Sequence, residues 1–499
     1  MRTINDASPD LWQGFMVHML FAVSLLLNPR VSLCVSRASQ KAYDYAVQNF
    51  LPAVYRHADE LTQIQADLLI ALHALFSPST EKVSLAVSSA MRRCIVARLH
   101  SFEAEPQQTD AAAHLEAQLR RRVFWSAYVL DRLASGVLHL PFSIADDNIT
   151  VPLFDDINEA ALLDGTFTLN EPMTRTEVSS ALHRCRLSQI QSEILNVTMR
   201  VNFDIDSAAE WRLYILTKLE NWRLQLEQVS DSTNSVTDPR WHILVYNHCL
   251  LYLHMPTKSN VRGPAGEWSI RASIETVKIF RQFQARRVVP YPVLGLISQF
   301  SIGITMLYCL WATPPKFRTE VCSPKKIFDA IRLCSNTLAV MTERWEQTGI
   351  LADVFELFTT DVLTAEYDSS DGPSRAVPGI SAETVQAVQV RMQRLKSLVL
   401  NKTVIRMIDE MLTQERPSEE GVDAGRIGAS SNGLEALSLC STDNNNNNVG
   451  AIDQGATELA EQYAPAQFFD WMGAAYTLSD IGPEQAIGVS DALLGFEML

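Results

Sequence analysis

Leu119-Arg120-Arg121-Arg122-Val123-Phe124-Trp125-Ser126-Ala127-Tyr128-Val129-Leu130-Asp131-Arg132-Leu133 decides how the rest of the chain is read. Leu119, Val123, Ala127, Leu130 and Leu133 recur at helical spacing, with Phe124 and Trp125 flanking the stripe. Such a face has to be buried against other elements, and the two aromatic side chains carry most of its apolar area. Arg120 to Arg122 are expected to begin this helix, and Asp131-Arg132 to lie in its last turns. Pro141 forces an extended exit. Asp146 and Asp147 are then close enough in sequence to fold back on Arg121, Arg122 or Arg132, which predicts an ion-pair clamp between helix and loop.

Outward from this stretch, period-3.6 patterns run from residue 10 to about 412, and only Ile149-Thr150-Val151 suggests a strand. Ile327, Ile331, Cys334, Leu338, Met341 and Trp345 step by three and four after Ser323-Pro324, a cap followed by a first helical residue. Ile215, Leu219, Trp222 and Leu226 form a second stripe. Breaks at 103–111, 153–175, 230–240, 258–268, 312–324 and 368–380 separate these patterns. The fold class expected is all-α, an irregular array of packed helices, many paired as hairpins, followed by a disordered acidic C-terminal tail. The organisation expected is a helical body over 1–412, a low-complexity linker over 413–448 with an Asn run, and an acidic-aromatic segment over 449–499.

Composition narrows the chemistry. The 499 residues include 42 Lys plus Arg and 57 Asp plus Glu, a net charge of −15, so global electrostatic steering toward nucleic acid is not expected. The imbalance is local. No Lys or Arg follows Arg426, and ten acidic residues lie between Ile427 and Leu499. The eight cysteines contain no C-x-x-C pair, which points to reduced core thiols instead of zinc knuckles or a disulfide framework. Leu11 to Leu27 is apolar and near the lower length limit of a membrane helix. Asp6, Asp10, Gln13 and His18 favour a core helix, and no membrane partner is expected.

Phosphate-loop, dinucleotide and zincin motifs do not occur. Asp155-Asp156-Ile157-Asn158-Glu159 has the form D-D-x-x-E, which on a helix wall could hold Mg²⁺ against a diphosphate. A helical isoprenoid-type enzyme using Asp155, Asp156 and Glu159 is therefore an alternative reading.

The 119–133 stretch, continued by Leu140-Pro141-Phe142-Ser143-Ile144-Ala145-Asp146-Asp147-Asn148-Ile149-Thr150-Val151-Pro152-Leu153, resembles the signature of the fungal-specific transcription factor domain. This is the middle homology region of the zinc binuclear cluster (Zn2Cys6) regulators. Phe15–Ala22, Leu61–Leu69 and Met91–His100 upstream, and Leu244–Pro256 and Cys334–Trp345 downstream, also look like family elements, so the resemblance spans about residues 10–350. Arg121, Arg122, Phe124, Trp125, Asp131, Arg132, Pro141, Asp146, Asp147 and Pro152 are the signature positions. The family often has Gly-Arg-Pro where this chain reads His139-Leu140-Pro141, and proline where Phe154 stands. The six-cysteine DNA-binding module that normally precedes the domain does not occur in this sequence.

The resemblance implies a nuclear regulator of RNA polymerase II transcription in a fungus, controlling a metabolic or specialised-metabolite pathway, and no catalytic role. DNA would be reached only through the missing zinc cluster or a partner protein. No cofactor is expected in this chain, zinc being expected only with an upstream six-cysteine module. Phe468, Phe469, Trp471 and Tyr476 would be coactivator-binding anchors in the tail. A homodimer or heterodimer and a small-molecule effector are further expectations. A second alternative is a modulator that binds no DNA itself and acts through a zinc-cluster partner.

Overall fold

The computed structural model describes residues 10–27, 33–56, 59–165, 178–200, 207–226, 239–285, 293–314, 324–343, 345–368 and 379–414, with single positions 176, 203, 204 and 318. Among these residues there are sixteen α-helices and no strand. Ile149-Thr150-Val151 is irregular backbone, although the Thr150 and Val151 N–H groups both donate to the His100 carbonyl. Beyond Thr413 and Gln414 the linker and the tail, including the Asn run and the four aromatic anchors, lie outside the described residues.

Four helices build the N-terminal end: α1 (Asp10–Leu27), α2 (Leu33–Asn49), α3 (Leu51–Val54) and α4 (Glu60–Ala74). Phe15, Met19, Ala22, Val23 and Leu26 of α1 are buried, so this apolar run is a core helix packed on α2 and α4. Asp59 caps α4 by accepting from the Leu61 and Thr62 N–H groups. The chain continues through α5 (Thr80–Val96), capped by Ser79, and α6 (Ala111–Leu138), capped by Asp110.

α6 corrects the expectation for the 119–133 stretch. It is 28 residues long and starts at Ala111 because Asp110 accepts from the Ala113 N–H at 2.8 Å, so Arg120 to Arg122 lie inside it instead of beginning it. From Arg121 to Arg132 every residue is buried, on all faces and not along one stripe. The neighbours are α4, α5, α8 (Ser179–Thr198) and α12 (Val293–Ala312). Within the expected 153–175 break lies a short helix, α7 (Glu159–Asp164).

α9 (Ala209–Leu224) and α10 (Pro239–His254) complete a satellite core with α8 that contains Ile215, Leu219 and Trp222, and Leu226 just beyond α9 is buried as well, as the spacing predicts. α11 (Pro264–Ala285), α12, α13 (Pro324–Thr342) and α14 (Gly349–Asp368) pack in succession around α12. Ile327, Ile331, Cys334, Leu338 and Met341 are buried, and α13 starts at Pro324 as expected. α12 is long and apolar enough to cross a membrane by composition, but 83% of its apolar window is buried inside the fold. Its Gly303 lets α13 and α14 approach, since a methyl there would stand 2.5 Å from the Phe355 ring and 3.0 Å from the Cys334 sulfur. α15 (Ala382–Leu398) and α16 (Lys402–Leu412) close the described chain, α15 on α14 and α16 on α12.

Cys94, Cys185, Cys249, Cys309 and Cys334 are buried and form no disulfide, in line with reduced core thiols. Burial pushes the Cys185 and Cys249 thiols up to about 12, which keeps them protonated and unreactive.

Buried imidazoles make the fold acid-sensitive. Burial pushes His183 and His254 down to about 3 and His73 to about 4. A base held neutral in the fold takes up its proton only after unfolding, so stability present above pH 6.5 is lost as pH falls toward 4. Each such group contributes a slope of about 1.4 kcal/mol per pH unit in that window. Urea midpoints measured across this range should fall steadily with pH, and His254→Gln should remove about one proton's share of the slope.

Candidate functional site

The signature residues gather where α6, the loop 139–158 and α8 meet. α6 ends at Leu138 because His139 takes up left-handed backbone, φ 56°. This conformation favours glycine, the residue the resembled family often places there. Leu140 and Pro141 then carry the chain back along α6 toward the short turn Asp146–Asn148.

Arg132 is the centre of the cluster. Its side chain is fully buried, with the guanidinium carbon 3.9 Å from the Tyr128 ring centroid and 4.4 Å from that of Phe142. Nη1 donates to Asp131 at 2.8 Å. Nη2 donates to the Ile144 carbonyl at 2.8 Å and to Asp146 at 3.1 Å, and Nε donates to the Ser192 hydroxyl at 3.2 Å. Asp131, also buried, accepts from the Ser143 hydroxyl at 2.6 Å and the Ser143 N–H at 3.2 Å. Asp146 accepts in addition from the Tyr128 hydroxyl at 2.7 Å, from Asn196 at 3.1 Å and from the Ser192 hydroxyl. Burial, with Asp146 beside it, holds the Tyr128 phenol far above its ordinary value, so it stays a donor.

The expected clamp therefore forms through Arg132 and Asp146. Asp147 is exposed and takes no part among the hydrogen bonds and ion pairs of the cluster. Arg121 turns the other way and pairs with Glu105 through two hydrogen bonds of 2.7 Å, an interaction that raises its already high pKa. Arg122 is buried with its guanidinium 5.9 Å from the Phe154 ring centroid. Phe124 and Trp125 meet edge to face, and the Trp125 indole N–H donates to the Pro152 carbonyl at 2.8 Å, fastening the far end of the loop. Pro141 is exposed at the start of the loop. Sequence reading missed Glu105, Ser143, Ser192 and Asn196. Tyr128 could have been found as the aromatic one turn before Arg132, and Phe142 as the aromatic that follows Pro141 in the returning loop.

Asp155 and Asp156 are spent on separate partners. Asp155 accepts from the Gln118 amide at 2.6 Å, while its own N–H donates to Gln118 at 2.9 Å. Asp156 accepts from the Ser179 hydroxyl at 2.8 Å and from Thr176 at the start of α8. Glu159 opens α7. Among the described residues no group of three or more His, Cys, Asp or Glu side chains is placed to hold a metal ion.

The cluster is built for fastening. Arg132→Met should destabilise the protein by about 3–5 kcal/mol by leaving Asp131 buried without its cation, and should open the loop 139–158 to limited proteolysis. Asp147→Asn should change neither chemical denaturation nor the cleavage pattern.

Residues 24–224 match the model of the fungal specific transcription factor domain. The chain is 23% identical over 395 residues to Protein STB5 of Saccharomyces cerevisiae, covering 74% of this chain and 50% of that protein. It is 22% identical over 310 residues to the Pyrimidine pathway regulatory protein 1 of S. cerevisiae, covering 59% of this chain and 33% of that one. The Positive regulator of purine utilization of Emericella nidulans is 24% identical over 330 residues, covering 51% of this chain and 31% of that one. The chain thus spans half or less of the length of these relatives. No solved structure matches. The clamp, the loop it fastens and α8 all fall inside the segment, residues 24–224, that matches the fungal specific transcription factor domain.

Proposed function

We propose that this protein is a regulator of RNA polymerase II transcription in a fungus and that it controls a metabolic or specialised-metabolite pathway. The observation that carries the reading is the coincidence of the matched domain with the Arg132 clamp. The signature residues fasten helix, loop and α8 together, and Asp155 and Asp156 are held by separate partners. Relatives named for pyrimidine and purine pathways support the metabolic assignment.

In this reading residues 1–412 are the regulatory body, residues 413–448 a linker and residues 449–499 an activation segment. The body has no catalytic role, works in the nucleus, assembles as a dimer and responds to a small molecule. DNA is reached through a zinc cluster, either upstream of this sequence or on a partner. The tail carries ten acidic residues and no basic ones from Ile427 onward, with Phe468, Phe469, Trp471 and Tyr476 among them, a composition that keeps aromatics available to a coactivator groove.

Fusion of the full chain to a heterologous DNA-binding domain should activate a tethered reporter in fungal cells. Truncation at residue 448, or the combined change of Phe468, Phe469 and Trp471 to Ala, should reduce that output at least tenfold at equal protein level, as hot-spot aromatics of about 2 kcal/mol or more each would require. Unchanged output would remove the activation segment from the assignment.

A further inference from the structure

Between α6, α8, α10, α12 and α16 lies a cavity of about 60 Å³ that is partly open to solvent. Val137, Leu195, Leu251, Ile302 and Met407 form its apolar walls, and no carboxylate, Lys or Arg lines it among the described residues.

Its polar groups have a definite pattern of donors and acceptors. Thr198, Ser301 and Thr305 donate their hydroxyl protons to the carbonyls of Ile194, Ile297 and Ser301 in their own helices, so they present oxygen acceptors to the cavity. His248 is fully used, its Nδ1–H donating to the Leu244 carbonyl at 2.6 Å and its Nε2 accepting from the Ser298 hydroxyl. The Tyr252 hydroxyl makes no hydrogen bond to a described residue. It lies close to α6, where a methyl on Gly136 would stand 3.5 Å from it and 2.6 Å from the Gln191 amide. His139 Nδ1 is buried in the wall with no hydrogen-bond partner among the described residues. Burial, and then Lys402, push that imidazole down, so it stands neutral.

The geometry points to a binding site for a small uncharged molecule whose hydroxyl or primary amide head sits on a short aliphatic stem. Such a head accepts from Tyr252 and donates to the hydroxyl oxygens or His139, while the stem fills the apolar walls. No charged side chain among the described residues lines the wall, so a charged head would lose its water without a direct ion pair. At about 10–15 Å³ for each probe-sized group, the cavity holds roughly four to six heavy atoms, and a longer ligand would extend through its open side.

This site deepens the effector part of the proposed function and rests on it for its regulatory meaning. α16 supplies Thr403, Val404 and Met407 to the wall and is tied across the cavity by Arg406, which donates to the Pro256 carbonyl at 2.7 Å. Glu410 of the same helix accepts from Tyr308 at 2.5 Å. A guest therefore bears directly on the last described helix before the linker.

The test uses the full chain labelled with ¹³C-methyl Met and titrated with n-butanol, butyramide, butyrate and n-butylammonium. Signals of Met255 and Met407, both lining residues, assigned from Met→Leu variants, should shift saturably with n-butanol and butyramide. The two ions should bind at least about tenfold more weakly. Tyr252→Phe, with its melting temperature retained, should weaken n-butanol binding about fivefold. Thr305→Val serves the same purpose if Tyr252→Phe does not fold. Unmoved Met255 and Met407 signals, equal binding of butyrate, or unchanged affinity in a folded variant would overturn the site. Since the readout is binding, this outcome and that of the tethered reporter are independent.

Discussion

A guanidinium buried out of reach of water is the constraint around which the centre of this protein is organised. Arg132 has no exposed surface, and an unpaired ion in that position would be prohibitively costly. It is tolerated because Asp131, Asp146, the Ile144 carbonyl and the Ser192 hydroxyl receive its protons while Tyr128 and Phe142 cover its faces. Replacing such a cluster with apolar side chains of equal volume need not lose stability, whereas removing one member strands the others. The cluster ties the loop 139–158 and α8 to α6 at once, through the Ile144 carbonyl, Asp146 and Ser192.

From that placement other features follow. With the near end of the loop held at Arg132 and the far end held by the Trp125 indole, Ile144, Val151 and Phe154 are delivered to the main core. With α8 fixed by Ser192 and Asn196, its opposite face presents Leu187 and Ile194 to α9 and α10, where the satellite core forms. The cavity lies where the ends of α6 and α8 part around α10 and α12 and is closed by α16, so its walls include elements outside the matched segment 24–224.

Much of this was legible in the chain. The stripes at 215–226 and 327–341 gave their helices, faces and burial, and Pro324 gave a start. The pairing of Asp146 with one of three arginines was readable because loop and helix are neighbours in sequence. The start of α6 was misplaced because Asp110, a strong N-cap, sits in a polar stretch that reads as a break, and because three consecutive arginines look like a helix end. Glu105 had no signal of its own, since its role as partner of Arg121 depends on how the 97–110 connection lies over α6.

The sequence by itself determined that the chain is helical, which face of each amphipathic helix is apolar, and the composition of the tail, because helical periodicity and side-chain propensity are local properties. Tertiary structure alone decided that α6 is buried on every side from Arg121 to Arg132, that Ser192 reaches Asp146 across 46 residues and Arg132 across 60, that Asp155 and Asp156 face different partners, and that an uncharged, mainly apolar cavity exists at all. Those outcomes depend on which helices meet and at what angle, and contacts between positions so far apart leave no period or spacing in the sequence from which they could be read.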